Sequence, residues 1–328
     1  MRFDVRLAVF ATVLGIGAQA APVSAQQSGT GAYPVKPIRL IVPLAPGGPS
    51  DILGRAMAQK LTEVMKQTVF VDNRPGAGGT LGADITAKSP PDGYTMILVS
   101  TSYAINASLY PKLPYDTLKD LAPVTMLASA PYIFAVHPAL PVRSMKELIA
   151  LAKSRPGQLN YASGGSGTGP HMAMELLKLK TGINIVHIPY KGAGPALIDL
   201  IAGHVQAQCV NMIAGLPHVK SGKLRALAVS TARRSAAAPD IPSVADAVPG
   251  FDESGQHGIM VPAGTPREIV ARLNQEIVRV LQSPEVRDRL AGEGAAIVGN
   301  TPEQFAAVIR SDVEKWAKLI KSLGITAN

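Results

Sequence analysis

The sequence predicts an α/β protein, a parallel sheet covered by helices on both faces. Three observations predict it. Short β-branched runs alternate with segments of helical period along most of the chain, and glycine-rich turns join the runs to the helices. Hydrophobic residues make up 47% of the 328 residues and charged residues only 17%. That balance supplies a core for two domains of ordinary size, or one large one, and is too apolar for a disordered chain. The 31 glycines and 27 prolines follow no triplet period, which excludes collagen, and no fixed-period repeat suggests a solenoid.

Residues 1–25 read as an export signal. Arg2 and Arg6 precede the apolar run 7–16, and Val23-Ser24-Ala25 offers small residues for cleavage before Gln26. The apolar run is shorter than the roughly 20 residues of a membrane span. Residues 38–42 are a strand ended by Pro43. Gly47, Gly48 and Pro49 follow, with Ser50 or Asp51 as the expected helix cap, and Leu53, Met57, Leu61, Val64 and Met65 recur at helical spacing. A strand at 69–71, the turn 74–79 and a short helix over 80–88 come next, then a Pro90–Gly93 turn and a strand at 95–99. In the middle, Ser144 and Glu147 form a capping box opening a helix to 154. Strands at 159–163, 183–188, 205–210 and 224–229 are interleaved with a helix carrying Met172, Leu176 and Leu179 and another over 195–201. The C-terminal third is mostly helical. Thr265 to Glu268 and Thr301 to Gln304 read as capping boxes with proline at the first helical position, and Ser283-Pro284-Glu285 as a third start.

The turns 47–48, 76–79, 164–169 and 192–194 each follow a strand and precede a helix. In a doubly wound sheet that places them at the carboxyl ends of strands, where the crevice forms. Glycine lets backbone approach a ligand closely, and helix N-termini present unpaired N–H groups. Any one turn could merely connect two elements; the four together point to capture of an anion, helped by the hydroxyls of Ser163, Ser166 and Thr168. No phosphate-loop or dinucleotide spacing occurs. The string Gly164-Gly165-Ser166-Gly167-Thr168 lacks the last glycine of a serine-hydrolase elbow, and Asp199 with His204 or His257 could complete a triad. A secreted serine hydrolase using Ser166 is therefore the alternative from another functional class. His171 and Glu175 sit at i, i+4 without a third ligand, so neither a metal nor a cofactor is expected. Cys209, the one cysteine, lies in an apolar run and reads as a core thiol. Lys+Arg 32 exceed Asp+Glu 23, giving a formal charge of +9. The basic residues are scattered, and the densest cluster (Lys220, Lys223, Arg225, Arg233, Arg234) has no interleaved aromatic, so no nucleic-acid partner is expected. A field that favours small anions is the reading that fits.

Several strings carry a resemblance to a known family. They are Tyr33-Pro34, Pro37 to Pro43 and Pro46-Gly47-Gly48-Pro49-Ser50-Asp51; Val71 to Gly79; Pro91 to Thr95; Asn160-Tyr161-Ala162-Ser163 with Gly167; Pro189-Tyr190-Lys191-Gly192; and Pro262 to Pro266. In this order the chain resembles the Bug or TctC family, the periplasmic substrate-binding proteins of tripartite tricarboxylate transporters. The resemblance implies a two-domain periplasmic binding protein fold (type II-like), each domain a sheet flanked by helices, with the ligand cleft between them. Domain 1 would comprise 33–130 and 257–328, domain 2 the insert 131–256. It implies a monomer in the periplasm, without activity of its own, that captures a small organic carboxylate and delivers it to membrane permease subunits. Presentation of the ligand to a sensor protein is the variant reading. By the same resemblance the ligand would meet Gly47, Gly48 and Asp51; Thr101 and Ser102; Ser163, Gly165, Ser166, Gly167, Thr168 and His171; and Tyr190. Two departures stand out. Family members commonly carry an aromatic pair where this chain has Gln256-His257, and an acidic residue with an Asp-Asn pair near the stretch Val205 to Asn211. The first replaces apolar pocket or hinge surface with polar groups and so bears on ligand size and polarity.

Overall fold

Ile38, Leu40, Ile41 and Val42 are apolar on both faces of their strand, which suits a position inside a sheet covered on both sides. In the computed structural model, which describes Met1 and residues 33–326, β1 (Ile38–Val42) lies between β2 (Val69–Asn73) and β3 (Thr95–Ser100), parallel to both. Apart from Met1, the expected export segment 1–25 lies outside the described residues. Each of these strands feeds a helix: α1 (Pro49–Met65), α2 (Thr80–Ala87) and α3 (Ser102–Leu109). The helix α3 was not foreseen from the sequence.

The long strand β4 (Leu121–Val136) joins two regions of the sheet. After it come α4 (Met145–Ser154), β5 (Asn160–Ser163), α5 (Gly169–Thr181), β6 (Val186–Pro189), α6 (Ala193–Ala202), β7 (Ala207–Asn211), α7 (Met212–Lys220) and β8 (Arg225–Val229). The strand β9 (Ser254–Pro262) returns the chain to the first region, followed by α8 (Arg267–Leu281), α9 (Pro284–Gly292), β10 (Ala296–Ile297) and α10 (Pro302–Leu323). The strand path is β2-β1-β3-β9-β4-β7-β5-β6, with β8 and β10 also on β4. The expectation of a wholly parallel sheet is corrected: β9 runs antiparallel to β3 and β4, and β4 antiparallel to β7 and β8. Residues Leu121 to Pro131 of β4 pair with β9, whereas Tyr132 to Val136 pair with β7 and β8.

Each region has its own buried core. One gathers Leu40, Leu53, Leu98, Leu273 and Ile277. The other gathers Phe134, Tyr161, Leu177, Cys209 and Phe251. In α8, Val270, Leu273, Ile277, Val280 and Leu281 recur on one face and are buried, while Arg272 and Arg279 stay outside on Glu276. The helix α10 places Trp316 and Ile320 against Ile105 of α3 and Met172 of α5, so its apolar face touches both regions.

Candidate ligand-binding site

The loops after β1, β5 and β6 meet the end of β3 in one cleft, holding about 550 Å³ of non-atom space with its mouth included. Its walls include Gly48, Ser50, Thr101, Thr168, Gly169 and Ala193. Helices α1, α5 and α6 all begin there. Their N-caps are Gly48, Thr168 and Gly192, and none supplies a side-chain cap. Pro49 and Pro170 occupy the first turns of α1 and α5, where a missing N–H costs no helical bond. The remaining first-turn N–H groups carry the positive ends of three helix dipoles. Among the described residues lining the cleft there is no lysine or arginine. What the walls can do chemically is hold an anion through neutral N–H groups.

Asp51 is the one acid among the described residues of the wall, and it is committed to the loop. It accepts from the Gly47 N–H at 3.0 Å, from Arg55 at 3.1 Å and from Asn73 Nδ2 at 3.0 Å. Burial pushes its carboxyl up, but the hydrogen bonds from Arg55, Gly47 and Asn73 outweigh that and hold it below the usual range. It is ionised, and its charge is turned towards Arg55 and Asn73.

The two sides of the cleft touch backbone to backbone. The Ala45 N–H donates to the Lys191 carbonyl at 3.0 Å. Gly194 lies so close to Pro46 that a Cβ there would collide with the Pro46 carbonyl oxygen. A second contact sets the Ser166 carbonyl against Gly78, and Asn106 Nδ2 donates to the Gly78 carbonyl at 3.0 Å.

The family model of the tripartite tricarboxylate transporter family receptor matches residues 53–325. The chain belongs to that family. Protein BugT of Bordetella pertussis is 41% identical over 321 residues, 97% of each chain. Among solved structures, the periplasmic binding protein BugD superposes with a TM-score of 0.87 at 31% identity, covering 90% of this chain and 99% of that one. A Rhodopseudomonas palustris protein solved with adipate gives 0.87 at 35% identity, covering 90% and 99%. MatC from the same species, with bound malate, gives 0.85 at 30% identity, covering 88% and 100%. The fold is the two-domain periplasmic binding protein fold.

In this receptor Gly48, Asp51, Thr101 and Thr168 border the cleft, and the other expected residues are not among those lining it. Gly47, at φ +81°, holds Asp51. Ser102 Oγ lies 2.8 Å from Ser100 Oγ. Thr101 Oγ1 accepts from the Gln256 N–H at 2.9 Å, while Thr168 Oγ1 donates to the Gly165 carbonyl at 2.8 Å. Ser163 is fully buried; its Oγ accepts from the Gly165 N–H at 3.1 Å and lies 2.6 Å from His187 Nε2. Gly165, at φ +120°, passes over the Tyr190 carbonyl, and the Gly167 N–H donates to His171 Nδ1 at 3.4 Å. Tyr190 turns its hydroxyl to Asp199 at 2.5 Å. The serine hydroxyl facing a histidine is thus Ser163, not Ser166, and Asp199 is engaged by Tyr190 and His204. Of the four glycine turns, 76–79 stays out of this cleft and receives Ser166 instead.

Sequence reasoning did not name Tyr132, Gln208 or Asn211 as site residues and gave Gln256-His257 only as a change at pocket or hinge surface, yet all five line the cleft. Four of them fall in the two stretches already noted as departures from the family pattern. Tyr132 left no signal because β4 was not foreseen.

Proposed function

We propose that this receptor is an exported, periplasmic protein that captures a small organic carboxylate and delivers it to the permease of a tripartite tricarboxylate-type transporter. The observation that carries this reading is the convergence of uncapped helix N-termini, those of α1, α5 and α6 among them, on one cleft with no lysine or arginine among the described residues of its wall. Such a site favours one compact negative group over sugars or cations. Removal of residues 1–25 takes the formal charge from +9 to +8, and this field draws anions towards the molecule without pairing them inside the cleft. Among the described residues no helix is long and apolar enough to cross a membrane. In this reading residues 33–130 and 257–328 form one domain and 131–256 the other, a division that the change of β4 partner after Pro131 supports.

The test is calorimetric titration with short carboxylic acids, their methyl esters and sugars, with melting curves alongside. An acid should bind and its methyl ester should not. At 100-fold excess over Kd the acid adds about 2.7 kcal/mol to stability. Response to sugars alone would remove the anion reading. Loss of uptake of the same acid in cells lacking the receptor tests delivery.

A further inference from the structure

In the same cleft, Gln208 and Asn211 of β7 and His257 of β9, strands that flank β4, bring polar side chains to the wall. They are 1%, 2% and 3% exposed, which places all three well inside the protein. Gln208 Oε1, Asn211 Nδ2 and His257 Nδ1 each lack a hydrogen-bond partner among the described residues. Buried polar atoms are rarely left so, and three on one wall of a binding cleft call for a common explanation.

The orientation of one group is determined. Asn211 Oδ1 accepts from the Ile213 N–H at 3.1 Å and caps α7, so its amide nitrogen is the end left for a ligand, beside Tyr132 and Gly255. Gln208 can present either a donor or an acceptor. The ring of His257 is neutral at pH 7, since burial pushes its pKa down to about 4, and can do the same. This wall has no lysine or arginine, and the helix that starts beside it, α7, already has its Ile213 N–H taken by Asn211. A second carboxylate here would be buried without a countercharge, on the same cleft as the ionised Asp51.

We infer that the wall of Gln208, Asn211 and His257 is a neutral subsite for a ligand group that both accepts and donates hydrogen bonds, so that the receptor takes a monocarboxylate with a distal hydroxyl or carboxamide in preference to a dicarboxylate. The inference rests on the carboxylate reading above. The carboxylate meets the helix N-termini; the distal group accepts from Asn211 Nδ2 and donates to Gln208 or His257.

Titration of the receptor with succinate, succinamate, adipate and the half-amide of adipate, with butyrate and hexanoate as references, tests it. For at least one chain length the half-amide should bind tenfold or more tightly than the matching dicarboxylate, about 1.4 kcal/mol. Gln208→Leu should abolish that preference, weakening the half-amide more than the reference monocarboxylate. The free variant should melt no lower than wild type, because Gln208 Oε1 has no protein bond to lose. Equal or tighter binding of the dicarboxylate at both lengths overturns the inference and leaves the carboxylate reading standing. Equal weakening of all ligands in Gln208→Leu also overturns it, by assigning the residue a structural role. Binding by none of the six acids overturns both readings.

Discussion

Ser163 and His171 lie buried beneath the loop 164–168 and are bonded to it: Ser163 Oγ accepts from the Gly165 N–H and His171 Nδ1 from the Gly167 N–H. His187 lies 2.6 Å from Ser163 Oγ, and its ring is tilted against His171 with centroids 4.2 Å apart and stacked on Tyr161 at 4.9 Å. The i, i+4 partner Glu175 accepts from the Tyr161 hydroxyl at 2.6 Å and from Lys178 at 2.7 Å. Burial pushes the His171 ring down to about 4, against the opposing pull of Glu175. Burial, with His171 beside it, pushes His187 down to about 3. Below pH 6.5 the unfolded chain therefore takes up protons that the folded chain does not. Stability is full above pH 6.5 and declines as pH falls through the window down to about 3. Melting curves should be flat from pH 8 to 7 and drop from 6.5 to 4, with a shallower drop in His187→Phe. An unchanged slope in the variant would locate the proton uptake elsewhere, with His257 the next group to vary. The i, i+4 spacing of His171 and Glu175 was legible in the sequence, but that both turn into the interior was not, because burial is decided by the packing of the whole fold.

At the level of elements, alternation of strands and helices was legible wherever side chains alone dictate the outcome, as in β1 and α8. It failed at β4 and β9. Pro123 and Pro131 argue against an internal strand, and β9 carries Gly255 and Gly258. The structure accommodates the prolines where the ladder is already irregular or changing hands: the register shifts just after Pro123, and Pro131 precedes the change of partner. Helix starts divide in the same way. Thr301 and Gln304 make the complete reciprocal box expected of them. Ser144 caps Glu147, but the Glu147 carboxylate accepts from the Arg143 N–H instead of closing the box. Thr265 is no cap at all, because α8 starts after Pro266 and the Thr265 hydroxyl donates to the Pro262 carbonyl. For α1 the cap is Gly48 rather than Ser50 or Asp51, which leaves its first turn open to the cleft. Thr301→Ala should lower stability by about 1 kcal/mol in urea denaturation, with ligand affinity unchanged. A loss of affinity at constant stability would show that α10 does more than bridge the two cores.

Over the whole molecule, the site exists only while its two sides are together. The N-terminus of α1 comes from the region built on β1, and those of α5 and α6 from the region built on β5 and β6. An anion held by all three therefore stabilises the arrangement in which the Ala45 N–H reaches the Lys191 carbonyl, and by linkage anything that blocks this contact weakens binding. Gly194 is the position at which to block it. It lies in the first turn of α6 with no positive φ to preserve, so a side chain there is compatible with its own helix. The obstruction comes from the opposite loop at Pro46. Gly194→Val should leave the unliganded melting temperature within a few degrees of wild type. Affinity for the best acid should fall by more than tenfold. Small-angle scattering of wild type should show a smaller radius of gyration with ligand than without, and in the variant the ligand should produce no such contraction. Full affinity and contraction in a folded Gly194→Val would mean that closure does not bring these loops together, and that the convergence of helix N-termini is a property of one side alone.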